Sequence, residues 1–253
     1  MEKGLELLET QWEGLLRHYA ELLAAYAAAR LTGSHDVQEL YDRHIRDCLA
    51  SVPLLPASGK VIDVGSGGGL PGIVWAICRP DLEIVLLDSA KKKCLAMDEF
   101  ASALGLKNVK PLWGRCEEHA LKTRETYALA SARALAHAGV LAEYLAPLVS
   151  VGGSLLAFKG PKGTEELAEV GGRWGELGLS DPSLLPYGPE DRNYAFVVWS
   201  KDKKCSRDYP RKAGLALTKP WWENRTGAAA KPASPNGKVS RAKNSKPSSG
   251  NRP

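Results

Sequence analysis

The stretch Asp63-Val64-Gly65-Ser66-Gly67-Gly68-Gly69-Leu70-Pro71-Gly72 constrains this chain more than any other. It follows a short apolar run, Lys60–Val64, and opens a helix-length segment through Ile73, Val74, Ala76 and Ile77. A strand, a glycine-rich turn and a helix in that order form the building unit of a doubly wound α/β sheet. In such a sheet the turn lies at the carboxyl edge, where ligands bind. Glycine lets the backbone take a positive φ and come close to a ligand. Pro71 suits the first turn of a helix.

Two ligand classes compete for this turn. Gly67, Gly69 and Gly72 match the dinucleotide fingerprint, with Asp88 at a ribose-binding distance along the chain. The longer pattern, Asp63-x-Gly65-x-Gly67-x-Gly69, resembles the first motif of Rossmann-like S-adenosylmethionine-dependent methyltransferases. There the acid helps hold the methionine end of the cofactor. Asp63 repels a pyrophosphate and attracts a sulfonium or ammonium. The bland alternative is a turn that binds nothing. Asp88 ends the second apolar run, Glu83–Asp88, where a carboxylate accepts ribose hydroxyls; it could instead cap the next helix, a role Ser89 could take over. Cys116-Glu117 follows the third strand candidate, beside the expected adenine. A backbone N–H and the Glu117 carboxylate could bond the adenine edge, while a first-turn acid also suits the helix dipole. Cys116 reads as a packing residue.

Further strands are expected at Asn108–Trp113, Ala128–Ala132, Ser154–Phe158 and Tyr194–Trp199, with one irregular strand within Ser180–Gly188. Helices are expected between most of them, at Lys91–Leu104, Glu117–Lys122, Ala138–Leu148 and Glu165–Leu177. This alternation predicts a mostly parallel sheet of seven strands with helices on both faces. Ahead of it, Leu5, Leu8, Trp12, Leu15, Leu16, Tyr19, Leu22, Leu23 and Tyr26 follow helical spacing. After the stop-and-cap residues Gly33, Ser34 and Asp36, a second helix runs through Val37, Leu40, Tyr41, Ile45 and Leu49. The expected organisation is a helical extension over 1–56, a Rossmann-like domain over 57–222 and a basic disordered tail over 223–253.

Charge supports that division. The net charge is +5, but residues 225–253 hold seven Lys and Arg and no acid. The 224 residues before them carry 27 basic and 29 acidic side chains, a net of −2. The five cysteines, Cys48, Cys78, Cys94, Cys116 and Cys205, form no metal-ligand or disulfide spacing. No apolar run is long enough to span a membrane, and Met1-Glu2-Lys3-Gly4 does not open a secretory leader. The expected setting is the reducing cytoplasm, without metal or membrane, as a monomer.

The ordered set Asp63–Gly72, Leu87-Asp88-Ser89, Trp113-Gly114-Arg115-Cys116-Glu117, Ser131-Ala132-Arg133-Ala134 and Phe158-Lys159-Gly160-Pro161 resembles the RsmG family, also called glucose-inhibited division protein B. Leu31-Thr32 with His44-Ile45-x-Asp47, and Tyr209-Pro210-Arg211-Lys212, are similar to that family's terminal signatures. The likeness covers residues 10–222. Arg30, Cys48 and Ala213 depart from the usual Asn, Ser and Pro. The resemblance implies methyl transfer from S-adenosyl-L-methionine to N7 of a guanine, guanine 527, in bacterial 16S ribosomal RNA, free or within the small ribosomal subunit. It also implies that Gly65, Leu70, Cys116, Glu117 and Arg133 hold the cofactor. Asp63, Gly67 and Asp88 join them from the motif reading.

Guanine N7 has a free lone pair, so its methylation needs positioning more than a general base. No Asp/Asn-Pro-Pro-aromatic motif or Pro-Cys pair points to amino or C5-pyrimidine methylation. Arg133 and Lys159, at the ends of the fourth and fifth strands, are expected to face one crevice. Arg133 could pair with the methionine carboxylate or an RNA phosphate, and Lys159 and Lys162 could hold phosphates. His44, with Arg43 and Arg46, forms a basic patch that could meet a base or phosphate; a structural histidine is the alternative. Tyr209–Lys212 and the tail could add salt-sensitive RNA affinity. Two further classes stay open. A nicotinamide-dependent oxidoreductase has only the glycine turn in its favour, and a non-catalytic RNA-binding protein would have no need of Asp63 and the glycines.

Overall fold

The computed structural model describes residues 2–26, 31–189 and 192–223. The expected tail from 224 onward and Arg30 lie outside the described residues. Strands β1 (Lys60–Val64), β2 (Glu83–Asp88), β3 (Val109–Trp113), β4 (Tyr127–Arg133), β5 (Val149–Lys159), β6 (Ser183–Pro186) and β7 (Ala195–Ser200) form one sheet in the order β3-β2-β1-β4-β5-β7-β6. The first five are parallel; β7 runs antiparallel to both β5 and β6. This is the mostly parallel seven-stranded, Rossmann-like sheet that the strand and helix alternation predicted. Strand order reverses at β1 and β4, which places a crevice at their carboxyl ends.

Side-chain alternation along the strands sorts the core into two layers. Val61, Ile84, Leu86, Leu129, Leu156 and Phe158 pack on one face, with α1 (Glu2–Ala25), α4 (Gly72–Cys78) and α5 (Lys91–Ala103). Ile62, Val64, Val85, Leu87, Ala130, Ala132 and Leu155 pack on the other, with α6 (Cys116–Lys122) and α7 (Ala138–Leu145). The same parity decides where the chemistry-bearing residues go. Asp63 and Ser131 share the face of Val61 and Leu129 and are register partners across β1 and β4. Arg133, two residues on, continues along that face.

The N-terminal helices belong to the first layer. Leu16, Tyr19 and Leu23 of α1 are buried in the same cluster as the sheet residues, and the Tyr19 hydroxyl donates to the Gly68 carbonyl at 2.7 Å. After Asp36, whose carboxylate accepts the Glu39 N–H at 2.6 Å, the second helical region is not one regular helix. It runs as α2 (Val37–Leu40), a π turn (Tyr41–Ile45) and α3 (Arg46–Leu49). The widened turn keeps Leu40, Tyr41, Ile45, Cys48 and Leu49 buried while His44 and Asp47 both reach Arg133. Such π turns recur at functional sites.

Two more expectations change. The helix expected over Glu165–Leu177 is α8 (Gly163–Val170) followed by a 3-10 turn, Arg173–Leu177. Gly171 and Gly172, both in left-handed conformation, separate the two. The fifth strand begins five residues earlier than Ser154, because β5 takes in Gly152 and Gly153 past an irregularity opposite Tyr127 and Leu129. The irregular segment does hold a strand, the exposed edge strand β6. The last helix is α9 (Leu215–Thr218).

Candidate functional site

Two cavities flank the segment Ala134-Leu135-Ala136 that leaves β4. Ala134 holds φ at +51°, an uncommon conformation for a residue with a Cβ. The smaller cavity, about 130 Å³, lies over the ends of β1, β2 and β3. Gly65, Asp88, Cys116, Glu117, Leu135 and Tyr144 line it, with Leu217 of α9.

Gly65 sits there at φ +73°, and a Cβ on it would stand 2.9 Å from the Leu135 side chain. Gly67 is also left-handed and donates its N–H to Oδ2 of Asp88 at 3.0 Å. Oδ1 of Asp88 accepts the Ala90 N–H at 2.8 Å. Asp88 therefore ties the glycine turn to the start of α5, and Ser89 does not take over that cap. Glu117 is nearly buried. Its Oε1 accepts the Gly214 N–H at 3.0 Å and its Oε2 the Cys116 thiol at 3.3 Å. Burial pushes the Cys116 thiol well up, with Glu117 adding to the effect, so it is inert packing.

Three expected cofactor residues, Gly67, Leu70 and Asp63, line neither cavity. Leu70 is buried in the first core layer. Asp63 is fully buried beneath the turn, where the Ser131 hydroxyl donates to Oδ1 at 3.0 Å and the Gly72 N–H to Oδ2 at 3.2 Å. Burial raises its pKa to about 6 against the pull of those hydrogen bonds. Gly72 is obligatory there: a Cβ would meet Leu86 at 2.1 Å and Asp63 at 3.3 Å.

The larger cavity, about 870 Å³, lies on the other side of Ala134. Arg133, Lys159 and His44 all line it, as the sequence reading expects of the first two. The guanidinium of Arg133 donates to His44 Nδ1 at 2.9 Å and to Cys48 Sγ at 3.4 Å, and stands 3.5 Å from Asp47. It lies 6.0 Å from the Phe158 ring centroid. Burial, then the Arg133 and Arg43 charges, lower the His44 pKa to about 4. His44 is therefore neutral at physiological pH. Arg43 pairs with Glu39 at 2.8 Å and Arg46 with Glu9 at 3.4 Å, so the expected basic patch is largely neutralised within the chain. Lys159 is likewise engaged, donating to the Ala136 carbonyl at 2.9 Å and pairing with Glu166 at 2.5 Å. Its charge fixes the loop between the cavities. Lys162 stays on the rim.

Sequence reasoning missed Tyr187, Arg192 and Tyr194 as lining of the larger cavity: Tyr187 follows β6 in the irregular segment, and Arg192 and Tyr194 lie just ahead of β7. Asp47 entered only through a family signature. Its own signal was an acid three residues after His44, entering the apolar pair Cys48-Leu49. The C-terminal signature is a clasp more than an RNA-binding arm. Arg211 forks onto Glu143, which is 1% exposed, with bonds of 2.9 and 2.7 Å. Arg124 donates to the carbonyls of Cys205, Ser206 and Tyr209. Trp222 stacks on His137 at 4.8 Å. These contacts hold α9, and with it Leu217, against the smaller cavity.

Residues 11–185 match the family model GidB, rRNA small subunit methyltransferase G. The protein named ribosomal RNA small subunit methyltransferase G from Clostridium perfringens is 36% identical over 224 residues, covering 86% of this chain and 93% of its own. That of Moorella thermoacetica is 35% identical over 222 residues, covering 84% and 92%. That of Rubrobacter xylanophilus is 38% identical over 218 residues, covering 81% and 82%. Among solved structures, an rRNA methylase from Streptococcus thermophilus aligns with a TM-score of 0.46 at 16% identity, covering 62% of this chain and 95% of its own. The chain belongs to the rRNA small subunit methyltransferase G family.

Proposed function

We propose that this chain transfers a methyl group from S-adenosyl-L-methionine to N7 of a guanine in 16S ribosomal RNA, guanine 527 by family likeness. The observation that carries the reading is the pair of cavities meeting at Ala134–Ala136, one of cofactor character and one larger, polar and aromatic. The donor set of the smaller cavity fits an adenosine. Asp88 keeps acceptor capacity beyond its two amides for ribose hydroxyls, Glu117 stands where an adenine edge would lie, and Leu135, Tyr144 and Leu217 give apolar walls. Gly65 supplies a floor without a Cβ. When bound, S-adenosylmethionine supplies an electrophilic methyl on its sulfonium, which the N7 lone pair takes without releasing a proton.

The chain's part is accordingly to hold two partners in line. Lys159 and Glu166 fix the separating segment from beneath, by bonds to the Ala136 carbonyl and the Ala138 N–H. Arg133 fixes His44 and Asp47 on the RNA side. Asp63 and Leu70 serve the cofactor by shaping the glycine turn from below, through Gly72 and the core. We read residues 57–222 as the catalytic domain and 1–56 as a helical extension that walls the larger cavity. The substrate is 16S RNA or the small subunit, and the chain acts as a monomer in the cytoplasm.

The test uses methyl-labelled S-adenosylmethionine with small subunits from cells lacking this gene, followed by nucleotide mapping. Label recovered as 7-methylguanosine at one position is the expected outcome. Label on another base, or none while S-adenosylhomocysteine still binds, overturns the substrate assignment.

A further inference from the structure

Asp47 is 8% exposed, yet among the described residues no hydrogen bond reaches its carboxylate. Its nearest charged neighbour, Arg133, stands at 3.5 Å without hydrogen-bond alignment. A carboxylate accepts only, with room for several donors, and buried polar groups are nearly always satisfied. Burial disfavours its charged form and outweighs the help of Arg133, Arg192 and Arg43. The group is therefore held in the wall of an 870 Å³ cavity with its acceptors unused by the described residues.

Beside it, His44 is fixed in one form. A guanidinium only donates, so the bond from Arg133 makes Nδ1 of His44 the acceptor. The ring proton then resides on Nε2, and among the described residues no partner reaches Nε2. One guanidinium thus sets two complementary groups side by side: an acceptor-only carboxylate and a donor-only N–H.

Among the four RNA bases, one edge answers both groups fully. Guanine places the O6 acceptor next to two donors, N1–H and the N2 amino group. Adenine offers one donor beside an acceptor, and cytosine one donor beside two acceptors. Uracil offers a single donor between two acceptors. Enzymes that modify bases read an extruded base by hydrogen bonds along this edge.

We propose that Asp47 and His44 are the guanine-reading pair: Asp47 accepts from N1–H and the N2 amino group, His44 Nε2–H donates to O6, and N7 is left without a partner on the cofactor side. The assignment rests on the guanine-N7 reading above and names the residues that select the base. Neither residue exchanges a proton with N7; both act by specificity and positioning.

Inosine lacks only the N2 amino group. The test compares 16S RNA carrying guanosine or inosine at the mapped position, reconstituted into small subunits, with wild type and with Asp47→Asn. Wild type is expected to lose about 10- to 100-fold in kcat/KM on inosine, the discrimination of a good bidentate contact. Asp47→Asn is expected to lose a similar factor on guanosine, with its guanosine-to-inosine ratio falling toward one. Any intrinsic effect of the amino group on N7 remains in the variant, so the collapse of the ratio isolates the contact. An unchanged melting shift with S-adenosylhomocysteine marks the variant as folded. Equal wild-type rates on the two RNAs overturn the proposal without any variant, as does an Asp47→Asn that weakens both substrates at constant ratio. Absence of 7-methylguanosine from wild type on guanosine RNA is a different result, and overturns the parent reading instead.

Discussion

In the smaller cavity beside Ala134–Ala136, Asp88 accepts two backbone amides of its own chain, and Glu117 accepts one amide and a thiol. In the larger cavity, Asp47 accepts no hydrogen bond from the described residues, and His44 Nε2–H finds no partner among them. One cavity is preorganised by local and C-terminal backbone; the other keeps the Asp47 carboxylate and the His44 Nε2–H in reserve. The difference matches what each recognises in the function proposed above. A small cofactor is bound by a rigid cradle, since rigidity limits the ordering that binding requires. A base extruded from RNA is distinguished by groups that only the right edge satisfies, because a wrong base leaves them buried and unpaired.

Four experiments break or sharpen that comparison. The largest effect is expected at the clasp behind the cofactor side. Arg211→Ala leaves the carboxylate of Glu143, 1% exposed, without its counter-charge and with only the backbone N–H of residue 211 as donor, and should cost about 3–5 kcal/mol of stability. Urea unfolding reads this directly, and a loss under 1 kcal/mol would show that the clasp is not structural.

Next comes Asp63, fully buried beneath the glycine turn. Its pKa is raised to about 6 in the fold from 3.8. The folded state then binds the proton more tightly than the unfolded chain. Asp63 contributes its full stability below pH 4 and loses it as pH rises through 6. The difference in unfolding free energy, wild type minus Asp63→Asn, should fall by roughly 3 kcal/mol between pH 4 and pH 7. A difference independent of pH contradicts this.

A smaller effect is expected on the cofactor cradle. Gly65→Ala puts a Cβ against Leu135 and into a left-handed conformation, which costs about 1–2 kcal/mol. Calorimetry should show S-adenosylhomocysteine binding weakened about tenfold, with RNA affinity unchanged. Loss of both would mean that the two sides are not separately built.

The smallest signal is spectroscopic. His44, with its pKa lowered to about 4, has the opposite sign to Asp63: its contribution is present above pH 6.5 and is lost as pH falls through 4. Nitrogen-resolved NMR should find it neutral at pH 6, with its proton on Nε2. A histidinium at that pH would remove the donor–acceptor pairing with Arg133.

Much of this molecule was legible one residue at a time. The glycine turn, the strand-end acids and the alternation of apolar runs set the sheet and its carboxyl edge, because backbone conformation and burial parity are local properties. Parity even separates Asp63 and Arg133 from Gly65, once β1 and β4 are neighbours. Tertiary structure decided which charges were already spent. Arg43, Arg46, Lys159 and Arg211 read as RNA-facing cations, and each has a carboxylate partner brought from elsewhere in the fold or one helical turn away. It also decided where the aromatic wall of the larger cavity comes from, since Tyr187 lies in a segment without periodicity and Tyr194, which opens an expected strand, lies just outside β7. Sequence determines a side chain's chemistry and its face on an element. Whether that chemistry is consumed by the chain or left for a ligand depends on long-range partners, whose proximity only packing creates.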